Sequence, residues 1–118
     1  MSSSLLYPIT RSVTVPNGAN ISNHIDLEAQ SIVELWTPNA LTSTTLTFEI
    51  ARDLGNGSYG NFVQAQNVAG IAFNVQIAPS VVVKFAPQDF FGSNRVRIKT
   101  ATNETADREF FITLMRAI

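Results

Sequence analysis

The chain has 118 residues, 45% of them apolar and 14% charged, with a formal net charge of −1. That length suits one domain with its own core, and the composition excludes a disordered segment. The balanced charge gives no general attraction to nucleic acid, and the absence of cysteine rules out disulfides and thiolate metal sites.

The amino-terminal eight residues, Met1 to Pro8, read differently from the rest. They are Ser-rich, then carry Leu5, Leu6 and Tyr7, with no basic region and no long apolar run of the secretory kind. No stretch approaches the roughly 20 apolar residues of a membrane helix. The segment reads as an amino-terminal arm, either a frayed terminus or a piece able to dock on a neighbour, and residues 9–118 as one domain. Leu5, Leu6 and Tyr7 are therefore candidate interface residues.

From Ile9 the sequence is a series of short strand signals. Ile9 to Val15 ends at Pro16-Asn17-Gly18, a turn sequence. Ile25 to Leu27 starts a second strand, and Ser31 to Thr37 forms a third, stopped by Pro38. Leu46, Phe48 and Ile50 alternate with Thr45, Thr47 and Glu49, which places the two sets on opposite faces. Asp53 to Gly60 is a glycine-rich, hairpin-like connection. Phe62 to Gln66, Ile71 to Ile77 and Val81 to Phe85 follow as strands, with one helical turn over Pro87 to Phe91. Val96, Ile98 and Thr100 alternate with Arg95, Arg97 and Lys99. The last strand is apolar on both faces, Phe110, Ile112 and Leu114 against Phe111, Thr113 and Met115. Such a strand is central or lies under a partner. Many short strands and no long amphipathic helix predict an all-β fold, an antiparallel β-sandwich of jelly-roll-like form. Phe48, Phe73, Val83, Ile98 and Ile112 are expected to point inward.

Residues that carry chemistry are sparse. His24, the single histidine, has no metal-ligand spacing around it. Glu34 and Glu49 are candidates to face each other across strands, although no pattern marks them as a catalytic pair. No nucleophile elbow and no phosphate loop occurs. The reading is a non-enzymatic chain with no cofactor and no metal. Arg95, Arg97 and Lys99 project from one strand face, which is either a solvated outer face or a surface that meets phosphate or an acidic partner. Trp36, at a strand end, reads as a core or interface tryptophan, with a sugar-stacking platform as the alternative. Through Tyr59 there are two cations and five acids, giving −3, and from Gly60 on six cations and four acids, giving +2. That asymmetry reads either as plain solvated charge or as a bias toward head-to-tail contact between copies.

Two ordered stretches resemble a known group. SIVELWTPNALTSTTLTFEIARDLGNGSYGNF carries an apolar strand, a Trp, an LTF strand and a Gly-containing loop with an aromatic. APQDFFGSNRVRIKTATNETADREFFITLMR carries a Pro-x-x-Phe-x-Gly step, a basic-apolar strand and a closing strand introduced by Ala-Asp-Arg. In this order the sequence resembles small structural proteins of phage and prophage particles. It departs from their pattern where Leu54-Gly55-Asn56-Gly57 replaces an Asp-Gly and where Thr105 replaces a Gln. The resemblance implies a virion β-sandwich without catalytic residues, most naturally a cement or decoration protein on the outside of a phage head. Its implied partners are the major capsid protein or other virion proteins and further copies of itself, for which a trimer is expected. A tail, neck or baseplate component and a carbohydrate-binding module are the alternatives.

Overall fold

The computed structural model describes residues 8–66 and 69–116. Among the described residues nine strands form two sheets: β1 (Ile9–Val15), β2 (Ile21–Asp26), β3 (Gln30–Trp36), β4 (Thr45–Ala51), β5 (Val63–Gln64), β6 (Val75–Gln76), β7 (Val82–Lys84), β8 (Arg95–Thr100) and β9 (Arg108–Arg116). Sheet A has the order β1-β9-β3-β7 and sheet B the order β2-β8-β4-β5, with β6 also paired to β4. Every ladder is antiparallel. The first half of the chain pairs with the second half in reverse order: β1 with β9, β2 with β8, β3 with β7, β4 with β5. Successive strands of the first half alternate between the sheets. That nesting is a jelly roll.

The core fills the space between the sheets. Val13, Ile32, Leu35, Phe110, Ile112 and Leu114 come from sheet A, and Leu46, Phe48, Val96 and Ile98 from sheet B. Phe73 and Val83, expected inside, are half-buried and pack against this cluster. Phe90 adds a plug from outside the sheets. Pro87–Asp89 forms a single 3-10 turn that delivers Phe90, fully buried, edge-on to Phe48 at 5.1 Å and to Phe85 at 5.6 Å. Gly92 follows at φ 86°, where a side chain would be strained. The Pro-x-x-Phe-x-Gly step is therefore a core-filling device.

Two sequence-predicted strands come out differently. The second strand begins earlier, at Ile21, because Ser22 Oγ accepts a hydrogen bond from the Ile98 N–H and a register shift absorbs the polar residues before His24. Residues 71–77 form only the two-residue β6. The free edge of β4 is divided, Glu49 and Ile50 pairing β5 while Thr45 and Leu46 pair β6. The chain between must cross from one end of that edge to the other, held by the Gln66–Ala72 bridge and the Phe73 N–H to Ala65 carbonyl bond.

One buried carboxylate ties the loops at one end of the sandwich. Glu104, in the β8–β9 connection, accepts from the Thr42 N–H at 2.8 Å, the Ser43 N–H at 2.9 Å, the Ser43 hydroxyl at 2.6 Å and Arg108 Nε at 2.9 Å. Its own N–H donates to the Ala19 carbonyl. Burial works against its charge, but the donors from Ser43, Thr42 and Arg108 outweigh that and hold its carboxyl below the ordinary value. Asp107 caps the same end by accepting from the Asn17 N–H. The Ala-Asp-Arg step thus fastens the β1–β2 turn and the β3–β4 loop to the last strand.

Candidate functional site

The outer face of sheet A carries the candidate site. A regular strand would place Ile32, Glu34 and Trp36 on one face, yet Ile32 and Leu35 are both buried. The β3–β9 register shifts between Ile32 and Glu34, so a bulge at Val33 turns the remainder of β3 over. Glu34 and Trp36 then both face outward. Across the sheet Trp36 lies opposite Phe111 on one side and Val82 on the other. These three are 47%, 45% and 39% exposed. The next row is polar: Thr10, Thr113, Glu34 and Lys84 stand opposite one another on β1, β9, β3 and β7.

Glu34 organises both rows. It receives hydrogen bonds from Lys84 Nζ and, at 3.1 Å, from Trp36 Nε1. Those donors, Lys84 foremost, hold its carboxyl below the ordinary value. The Trp36 ring is thereby fixed in orientation while its face stays open. Pro8, Thr10, Val33, Glu34, Trp36, Phe111, Thr113 and Met115 line an open groove of about 560 Å³ on this face.

The outer face of sheet B differs. Arg95, Arg97 and Lys99 do share it, but two of the three are occupied within the fold. Arg95 Nε donates to Asp26 at 2.7 Å, and its guanidinium lies 3.6 Å from the Tyr59 ring centroid. Arg97 Nε donates to Glu49 at 2.7 Å and lies 4.1 Å from the Phe62 ring. Phe62 also faces His24, with centroids 5.8 Å apart. The loop between β4 and β5 supplies both aromatics, so alternation along β8 alone gave no sign of them. Lys99 is the exposed member of the row. The candidate basic docking stripe is therefore largely an internal clamp.

The charge asymmetry resolves in the same way. Because the jelly roll lays the second half against the first, Asp26, Glu34 and Glu49 meet Arg95, Lys84 and Arg97 inside one molecule. The asymmetry, a candidate link between copies, is spent largely within each copy. Glu34 and Glu49 do not face each other, since they lie on different sheets.

Trp36 is thus the sequence-predicted interface residue that the fold brings into a site, together with Phe111, Val82 and Glu34. The signal for Phe111 was present in the two-sided apolar pattern of the last strand, and β9 is indeed interior in sheet A. Leu5, Leu6 and Tyr7, with most of the arm expected over residues 1–8, lie outside the described residues. Among the described residues, no three of His, Cys, Asp and Glu gather closely enough to hold a metal ion, and no helix is long and apolar enough to cross a membrane. No family model, no curated protein and no solved structure matches the chain.

Proposed function

We propose that the chain is a non-enzymatic structural component of a bacteriophage particle, a cement or decoration protein on the outside of the head. Its docking surface is the outer face of sheet A, and its partner is the major capsid protein. The observation that carries this reading is the row Phe111–Trp36–Val82, three exposed apolar side chains set in register on one outer sheet face. Contiguous exposed aromatics flanked by polar residues mark protein contacts, and Trp is among the residues that dominate binding energy there. The location on a phage head rests on the resemblance of the chain's motifs, in their order, to those of small virion proteins. A jelly roll by itself specifies no function. Copies are proposed to act as an oligomer, a trimer suiting three-fold positions of a head. A tail, neck or baseplate position would use the same face.

A carbohydrate-binding module is the second reading, favoured by two aromatic side chains beside a carboxylate in a groove. Glu34 weighs against it. Its oxygens already take donors from Lys84 and Trp36, which reduces what it can offer to sugar hydroxyls.

The test is co-sedimentation with phage heads that lack the protein. Trp36→Ala and Phe111→Ala should keep the fold and lose binding by about 30-fold or more each, the range of a hot-spot residue. Unchanged binding of both variants would remove the proposed face, and binding on a glycan array that depends on Trp36 would favour the second reading.

A further inference from the structure

The sequence contains two Asn-Gly steps, Asn17-Gly18 and Asn56-Gly57. In such a step the glycine has no side chain to hinder its amide nitrogen, which can attack the asparagine side-chain carbonyl. All four residues are exposed, and both glycines have positive φ, 82° and 86°. Their hydrogen bonds differ.

Asn17-Gly18 lies in the turn between β1 and β2, and three bonds hold it. The Gly18 N–H donates to the Glu104 carbonyl at 2.7 Å, and the Ala19 N–H to the Pro16 carbonyl at 3.0 Å. The Asn17 N–H donates to Asp107 Oδ1 at 2.8 Å. The Gly18 nitrogen must give up its proton to react, and that proton is engaged by the backbone of the Glu104 hub.

Asn56-Gly57 lies at the tip of the β4–β5 loop. Among the described residues the Gly57 N–H has no acceptor. A Cβ placed on Gly57 would meet nothing within 4 Å, so its surroundings are open. Asn56 Oδ1 accepts from the Ser58 N–H at 3.1 Å and from the Ser58 hydroxyl. The first of these bonds curls the Asn56 side chain back over the intervening Gly57 nitrogen. Both donors face the oxygen on which negative charge develops when that nitrogen attacks Cγ.

We propose that Asn56 is a self-modifying site, at which the folded chain deamidates in preference to Asn17. Hydroxide takes the Gly57 amide proton, and the nitrogen bonds to Asn56 Cγ. The side-chain nitrogen takes a proton from water and leaves as ammonia, which closes a cyclic succinimide. Water then opens either carbonyl of the ring. One opening gives aspartate, the other isoaspartate, in which the main chain runs through the side-chain carbons. The net change is loss of one ammonia and gain of one water, with no oxidant or reductant. Either product takes the formal net charge from −1 to −2. Isoaspartate also lengthens the backbone of the loop that carries Tyr59 onto Arg95.

The experiment incubates the full chain in mildly alkaline buffer, quenches samples in acid and digests them with pepsin. Fragment mass spectra then locate each conversion of amide to acid. Asn56 should convert about tenfold or more faster than Asn17, the factor expected when a bonded turn must open first. In denaturant at the same pH the two should convert at similar rates. Ser58→Ala, checked for folding by circular dichroism, should slow Asn56 by about threefold or more. Ser58→Thr, which keeps the hydroxyl, should restore the rate. Equal rates in the folded chain, or Asn17 ahead, would overturn the proposal. A preference that persists in denaturant would assign it to the flanking Pro16 and Gly55 and overturn the structural cause. An unchanged rate in Ser58→Ala would overturn the role of the Ser58 hydroxyl.

Discussion

Removal of the Glu104 carboxylate should be among the most damaging single changes in this protein. Glu104→Ala strips the acceptors from the Thr42 and Ser43 N–H groups and leaves Arg108, whose side chain is 14% exposed, without its partner. Deleting one member of a buried, hydrogen-bonded ion pair costs about 3–5 kcal/mol. For a chain of 118 residues, 1 kcal/mol corresponds to about 4 °C in Tm, so the melting temperature should fall by about 12–20 °C. Glu104→Gln keeps the volume and one acceptor but turns an amide NH2 toward donors, and should cost about 1–3 kcal/mol. The carboxyl is held below its ordinary value in the folded state. Its contribution is therefore complete above the unfolded pKa of about 4.3 and is lost as pH falls through the lower folded value. Thermal melts followed by circular dichroism should show the gap between wild type and Glu104→Gln constant at neutral pH and shrinking below about pH 4. A Tm loss under about 4 °C for Glu104→Ala would refute the hub.

Phe48→Ala, fully buried and edge-on to Phe85 and Phe90, should lower stability by about 3–5 kcal/mol in chemical denaturation; a negligible change would mean the strand parity is wrong. Arg95→Ser and Arg97→Ser should each lower stability by about 1 kcal/mol through lost ion pairs and ring contacts, while Lys99→Ser should leave the Tm unchanged. An equal effect of all three would contradict the clamp. Ala29→Gly should raise stability by about 0.5–1 kcal/mol in the same melts, because Ala29 sits at φ 66° where only glycine is unstrained.

The strands were legible wherever alternation was regular. Leu46, Phe48 and Ile50, Val96 and Ile98, and Phe110, Ile112 and Leu114 lie in β4, β8 and β9, mostly buried as their spacing predicts. The two-sided apolar pattern of β9 carried both its interior place and the exposure of Phe111. Other features depend on contacts between residues far apart in sequence. The bulge at Val33 that turns Trp36 outward exists because Ile32 and Leu35 both find space in the core, which no local period encodes. The Glu28–Ala29 turn, closed by the Gln30 N–H to Leu27 carbonyl bond, uses positive φ at two residues that ordinarily avoid it. Glu104 reads as one more loop carboxylate until Thr42, Ser43 and Arg108 converge on it. The basic stripe was correctly placed on one face, but Tyr59 and Phe62 reach it from another part of the chain. The jelly-roll pairing is likewise what turns a charge asymmetry along the sequence into ion pairs across the sheets.

The central claim is that sheet A, through Trp36 and Phe111, is the face applied to a phage head. A cryo-electron microscopy map of heads decorated with the purified chain tests it most directly. The account predicts density for the sandwich on the outer shell with the Phe111–Trp36–Val82 row against the capsid protein and the Arg95–Arg97 face turned away. Sheet B against the capsid, or heads that take up no chain at all, would contradict it.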